Sequence, residues 1–229
     1  EPMPGLSRLV MPVLLVILSG LSGVANAQAT PAPFSATYHL RLDGWPDADV
    51  QHRLSHLGGN DWQSEMRASV LTAEGYERGK FRLQDDGVQA WHYASGFTLF
   101  GLGERYHLSA RELATLPDRQ SALFILSRGL DTAPCQRAAA PPCRLAYADH
   151  KGRPEAFAYH VGAPQTLDVP AGAFKARWVE GWNPEKPDRR LHLAFSVQRP
   201  GLLIAVEYYR DGELASRMAL TELDRDETR

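Results

Sequence analysis

The feature that most restricts how this chain can fold is a period-two alternation of apolar and polar residues, repeated between turn signals. It is cleanest over Phe34–Leu42. There Phe34, Ala36, Tyr38, Leu40 and Leu42 face one way, and Ser35, Thr37, His39 and Arg41 face the other. Such alternation marks a strand with one buried face. It is weaker over Val50–Leu57 and clear over Trp62–Leu71, where Trp62, Met66, Ala68 and Val70 oppose Gln63, Glu65, Arg67 and Ser69. Tyr76–Gln84 and Val88–Ala94 follow, joined by the hairpin turn Asp85-Asp86-Gly87.

The second half repeats the pattern over 144–149, 155–161, 166–169, 174–181, 191–198, 202–210 and 213–223. Turns stand at Pro170-Ala171-Gly172, Asn183-Pro184, Pro200-Gly201 and Asp211-Gly212. Between the halves the period changes. Over 118–130, Ala122, Leu123, Leu126 and Leu130 form one helical stripe, with Asp118 placed to cap the first turn and Gly129 near the end. These patterns predict a mainly β single domain: a curved antiparallel sheet, half-barrel or sandwich, with one short helix near 118–130.

Ahead of the first strand lies the apolar run Leu9–Leu21, with Arg8 as the only charge between Met3 and the run. It closes at Ala25-Asn26-Ala27, a small-x-small site. Residues 1–27 therefore read as a secretory signal peptide cut between Ala27 and Gln28, with Glu1 and Pro2 standing ahead of the start at Met3. The run is shorter than the ~20 residues a membrane-spanning helix needs. No Cys follows the cut to accept a lipid. The expectation is one exported, periplasmic, β-rich domain over 28–229 with no permanent membrane anchor after cleavage.

Charge narrows the partners. With 25 Lys and Arg against 27 Asp and Glu, the net charge is −2, so no basic field exists to hold nucleic acid. The two cysteines, Cys135 and Cys143, flank a Pro- and Ala-rich stretch. In an oxidising compartment they read as a disulfide, since the loop carries no His or carboxylate to complete a metal site.

Catalytic signatures are missing. There is no Gly-x-Ser-x-Gly elbow, no P-loop, no Gly-x-Gly-x-x-Gly opening a helix and no His-Glu-x-x-His. Gly101-Leu102-Gly103 reads as a flexible turn after the apolar stretch Phe97–Phe100. Of the eight histidines, His52 and His56 would share a strand face but stand about 13 Å apart. His39, His92, His107, His160 and His192 sit singly on strands, as polar-face residues do. No catalytic residue, cofactor or metal ligand is assigned. The aromatic supply, five Trp, eight Tyr and eight Phe, fits either an ordinary β core or an apolar cavity under a curved sheet. Phe34, Tyr38, Leu40, Trp62, Met66 and Trp178 are the candidate apolar-ligand face.

Three segments carry a resemblance. They are Ser121–Arg128 in the helix, Leu167-Asp168-Val169-Pro170-Ala171-Gly172-Ala173-Phe174, and Val206–Gly212 followed by Leu220-Thr221-Glu222-Leu223. Together they resemble the bacterial exported domain of unknown function 3108 family. The Cys135–Cys143 loop and Arg199-Pro200-Gly201 depart from its plan. The resemblance implies a periplasmic, β-rich protein without assigned catalytic residues, similar in plan to lipoprotein-carrier half-barrels. That last step is fold analogy. The leading expectation is a non-enzymatic protein that binds a lipid, another apolar ligand or an envelope component on its sheet. An envelope interaction or scaffold module is the alternative, and a hydrolase without a recognisable motif the third.

Overall fold

The computed structural model describes residues 29–136 and 138–224. The predicted leader and the cut between Ala27 and Gln28 lie outside the described residues. The elements run β1 (Phe34–Leu42), β2 (Ala48–Gly58), β3 (Asp61–Val70), β4 (Ala73–Gln84), β5 (Gly87–Leu99), β6 (Leu102–Leu108) and α1 (Arg119–Arg128). After the helix come β7 (Cys143–Ala148), β8 (Pro154–Val161), β9 (Gln165–Val169), β10 (Gly172–Asn183), β11 (Lys186–Ser196), β12 (Leu203–Arg210) and β13 (Glu213–Asp224). All thirteen strands join one antiparallel sheet of order β6-β5-β4-β3-β2-β1-β13-β12-β11-β10-β8-β7, with β9 paired to β10. Among the described residues the predicted mainly β architecture with one short helix forms, as a single antiparallel sheet and not as a sandwich.

The order shows how the chain closes its core. Hairpins grow outward from β1 to one edge at β6, and the chain then crosses to β7 at the other edge through α1. The helix thereby lies in the concavity of the sheet. The edges are not hydrogen-bonded to each other, so the sheet stays an open half-barrel. They do approach: the ring of Tyr106 on β6 meets that of His150, just past β7, at 4.6 Å between centroids. Residues Ala90, Tyr93, Leu108, Leu113 and Ala148 bury together at this seam.

The main core lies between the helix and the sheet. Phe34, Ala36 and Tyr38 of β1 are buried, as are Val50 and Leu54 of β2, Trp62 of β3 and Phe81 of β4. Phe124 of α1 stacks on Phe81 at 4.6 Å between centroids. Leu202–Ala205 form a run that alternation cannot explain, since all four are buried. β9 packs across the strand pair β12–β13, with Ala171 N donating to Leu220 O at 3.1 Å, and Gly201, just ahead of the run, donates its N–H to Ser127 Oγ of α1 at 2.8 Å. A strand covered on both faces reads as a continuous apolar run.

From sequence, Gly101-Leu102-Gly103 reads as a flexible turn after the apolar stretch Phe97–Phe100. The turn is tighter than that, at Phe100-Gly101, with Phe97–Leu99 ending β5 and Leu102-Gly103 opening β6. The alternation fails there because apolar side chains stand exposed at this hairpin tip, so burial does not sort them. Cys135 and Cys143 form a disulfide, with Cα atoms 5.5 Å apart. It fastens the loop to β8, where Val161 N donates to Cys135 O and the His160 ring contacts Ala140 O.

Candidate ligand cavity

The site begins at the helix N-terminus. Asp118 caps α1: its carboxylate accepts from Gln120 N at 2.9 Å, Ser121 N at 3.0 Å and Ser121 Oγ at 2.6 Å. The cap rests directly on β4 because residue 79 is glycine. A Cβ there would fall 2.9 Å from Gln120 Cβ and press on the Asp118 carboxylate. Asp118 is fully buried, and burial lifts its carboxyl to about 6 against the opposing hydrogen bonds of Ser121 and Gln120.

A polar chain runs outward from this cap across the sheet. Ser64 Oγ donates to Gln120 Oε1 at 2.8 Å and lies 2.9 Å from His52 Nε2. Gln120 Nε2 donates to Glu77 Oε2 at 3.3 Å, and Tyr93 OH donates to Glu77 Oε1 at 2.9 Å. Arg119 completes the chain in an ion pair with Glu77, and its Nη2 donates to Tyr93 OH at 3.3 Å. Since the Ser64 proton is engaged by Gln120, His52 donates through Nε2 and keeps a bare lone pair at Nδ1. His52 and Ser64 thus meet within hydrogen-bond range yet make no nucleophile and base: both are buried and their hydrogen bonds point into the core. Desolvation lowers the His52 imidazole to about 4, so it is neutral across the physiological range. Burial, reinforced by Glu77, raises Tyr93 to about 12. For Arg119, burial acts downward, and Glu77 and Tyr93 more than offset it.

On the far side of α1 the core is not filled. A cavity of about 220 Å³ lies between the helix and the second half of the sheet. Ala122, Leu123 and Leu126 form its helical wall, Leu145 and Tyr147 of β7 and Phe157 of β8 its outer wall, and Leu191 and Leu193 of β11 its floor. Glu77 and Arg119 stand at its polar end. Phe157 reaches its place because β10 carries Gly181 beneath it; a Cβ there would fall 2.6 Å from Phe157 Cε1. The same ion pair borders a second space, a groove of about 640 Å³ over the first half of the sheet. Met66, Ala68, Gly75, Phe97 and Leu102 are among its lining residues. An apolar chamber and an open groove therefore meet at one half-buried salt bridge.

The residues nominated from sequence divide differently. Phe34, Tyr38 and Trp62 are enclosed in the core, and the Tyr38 hydroxyl donates to Leu203 O at 2.8 Å, with burial raising its pKa. Leu40 packs half-buried against that core. Met66 lines the groove. Trp178 lies on the other face of β10 from the cavity, since its neighbour Val179 pairs with cavity-lining Leu193. Sequence reasoning found Ala122, Leu123 and Leu126 as a helical stripe but missed Leu145, Phe157, Leu191 and Leu193, whose alternation marks strand faces without saying which face stays unfilled. Glu77 and Arg119 gave no sequence signal at all.

Among the histidines, His107 Nε2 lies 3.2 Å from His92 Nδ1, and His39 contacts Asp47 at 3.0 Å. No group of three or more His, Cys, Asp or Glu is placed to hold a metal ion among the described residues. No helix there is long and apolar enough to cross a membrane.

No family model matches the chain, so the likeness to the 3108 family rests on its motifs alone, and no curated protein matches either. Among solved structures, the chain is similar to a candidate exported protein with a YmcC-like fold from Bacteroides fragilis. Identity is 12 %, the TM-score is 0.36, and the match covers 86 % of this chain and 97 % of that one. It is also similar to MucB, at 11 % identity and a TM-score of 0.40, over 86 % of this chain and 55 % of that one. The MucA/MucB complex of Pseudomonas aeruginosa gives 11 % identity and a TM-score of 0.38, over 86 % and 53 %. The chain spans about half the length of the MucB chains it matches.

Proposed function

We propose that this protein is an exported, non-enzymatic carrier or sensor that holds the apolar part of an amphipathic ligand, such as a lipid acyl chain, against α1. The observation that carries this is the chamber walled by Leu123, Leu126, Leu145, Phe157, Leu191 and Leu193, with Glu77 and Arg119 at its polar end. Apolar walls with a few convergent polar groups at one end suit a molecule with a tail and a head. The chamber exceeds the ~150 Å³ apolar cavities that take benzene-sized guests, and the adjoining groove extends the available length. Native mass spectrometry of gently purified protein tests it. A reproducible adduct of lipid mass is the expected result, and a reproducibly empty protein without lipid affinity would contradict it.

A second reading is supported by the disulfide loop. Pro134, Ala138, Ala139 and Pro141 stand exposed around the buried anchor Cys135, as a docking loop for an envelope protein would. Deleting residues 134–143 should then abolish capture of a stable partner; unchanged capture would exclude the loop.

A further inference from the structure

We infer that the paired tips of the β3–β4 and β5–β6 hairpins form a wedge that inserts into the surface of a lipid bilayer, by apolar contact rather than by charge. Three observations converge there. The first is exposure. Of the eight large apolar side chains that stand exposed among the described residues, five belong to these two tips: Leu71 at 87 %, Leu102 at 80 %, Phe100 at 76 %, Phe97 and Leu99. The turns are neighbours, since Phe100 N donates to Thr72 O at 3.1 Å. Contiguous exposed apolar surface marks an interaction site far more often than scattered single residues do.

The second is backbone conformation. Phe100-Gly101 occupies left-handed space at both residues, with φ of 51° and 76°. The β12–β13 turn has the same signs at Asp211-Gly212, φ 51° and 82°. Asp-Gly is the residue pair that such a hairpin favours. Leu71 is the other non-glycine residue at positive φ among the described residues, at 54°. A large apolar side chain in that region lowers stability, and it is retained at the two adjacent tips only.

The third is the surroundings. Val70–Ala73 and Phe97–Gly103 contain no charged residue, and the nearest charges, Glu74 paired with Thr98 and Glu104 paired with Phe97, stand behind the turns on the strands. Phe97 and Leu102 also line the groove that leads to Glu77 and Arg119, while Leu71 and Phe100 stand at the turns themselves. The exposed apolar atoms therefore wrap around the lip and the end of the sheet. A flat protein partner covers one side of such a tip; fluid hydrocarbon covers all of it. The wedge stands on these observations and does not require a loaded chamber, although it would set the groove mouth at the bilayer.

The test is flotation of the processed protein, as recovered from the periplasm of expressing cells, with phosphatidylcholine vesicles. Leu71→Asn/Phe100→Asn and, separately, Leu102→Ser are the variants. Asn tolerates left-handed backbone, so the double variant keeps its fold, which its urea midpoint checks. The expected result is vesicle binding that falls about tenfold or more in the double variant and partly in Leu102→Ser. It should be equal on phosphatidylcholine and on mixtures with phosphatidylglycerol, at low and high salt. Absence of binding, equal binding by the variants, or binding confined to anionic vesicles would overturn the wedge. Self-association that the double variant abolishes, without vesicle binding, would assign the tips to a second copy instead. Uptake of a soluble fatty acid should survive in the double variant, whose two residues line neither the cavity nor the groove, which separates failure of the wedge from failure of the cavity.

Discussion

Replacing Asp118 by Asn should stabilise the protein above neutral pH and lose that advantage in acid. Asp118 is fully buried at the helix cap, and its carboxyl sits near 6 instead of 3.8. That difference corresponds to about 3 kcal/mol between the neutral and ionised forms. The sign follows from linkage. Between pH 3.8 and 6 the folded state binds more proton than the unfolded chain, so this group makes folding less favourable as pH rises through that window. Asn caps helices as well as Asp, and its Oδ1 can accept from both Gln120 N and Ser121 N. Asp118→Asn should therefore match wild type near pH 4 and exceed it by up to about 3 kcal/mol above pH 7. Urea unfolding of both proteins from pH 4 to 8 measures it. The comparison between proteins matters because His52 acts oppositely over much of the same window. A stability difference independent of pH, or one that turns against Asn as pH rises, would show that Asp118 is an ordinary ionised cap.

Other consequences are simpler. With His52 lowered to about 4, its contribution is complete above pH 6.5 and lost as pH falls toward 4, so His52→Gln should resist acid unfolding better than wild type by about 3 kcal/mol near pH 4 in urea titrations. Gly79→Ala should destabilise by about 1–3 kcal/mol, because its methyl group meets the Asp118 carboxylate and Gln120 Cβ; equal urea midpoints would mean the helix moves aside freely. Replacing Cys135 and Cys143 together by Ala should cost about 2.5 kcal/mol by the loop-entropy relation for a sequence separation of 8, as thermal and urea unfolding would register.

Much of the fold was legible because burial on one face writes itself into alternation. Phe34–Leu42 is read and found as β1, and Asp118 is read and found as the cap of α1. The reading broke where burial no longer sorts the residues. At Phe97–Leu102 apolar groups face solvent, and at Leu202–Ala205 both faces are covered. The candidate site was the least legible part. Leu145 and Leu193 show that they face inward, but whether facing side chains meet or leave a gap depends on how α1 spans two edges of the sheet. Glu77 and Arg119, 42 positions apart in sequence, meet through the crossing of α1 over β4, which no local pattern encodes.

The chamber beneath α1 is tested most directly by titrating a fluorescent fatty acid into wild type and into Leu145→Trp, whose indole would occupy the space between Leu123 and Phe157. If the chamber holds the ligand, wild type binds saturably and the variant loses about tenfold or more in affinity at an unchanged urea midpoint. Equal affinity in the two proteins, or no saturable binding to either, would contradict it.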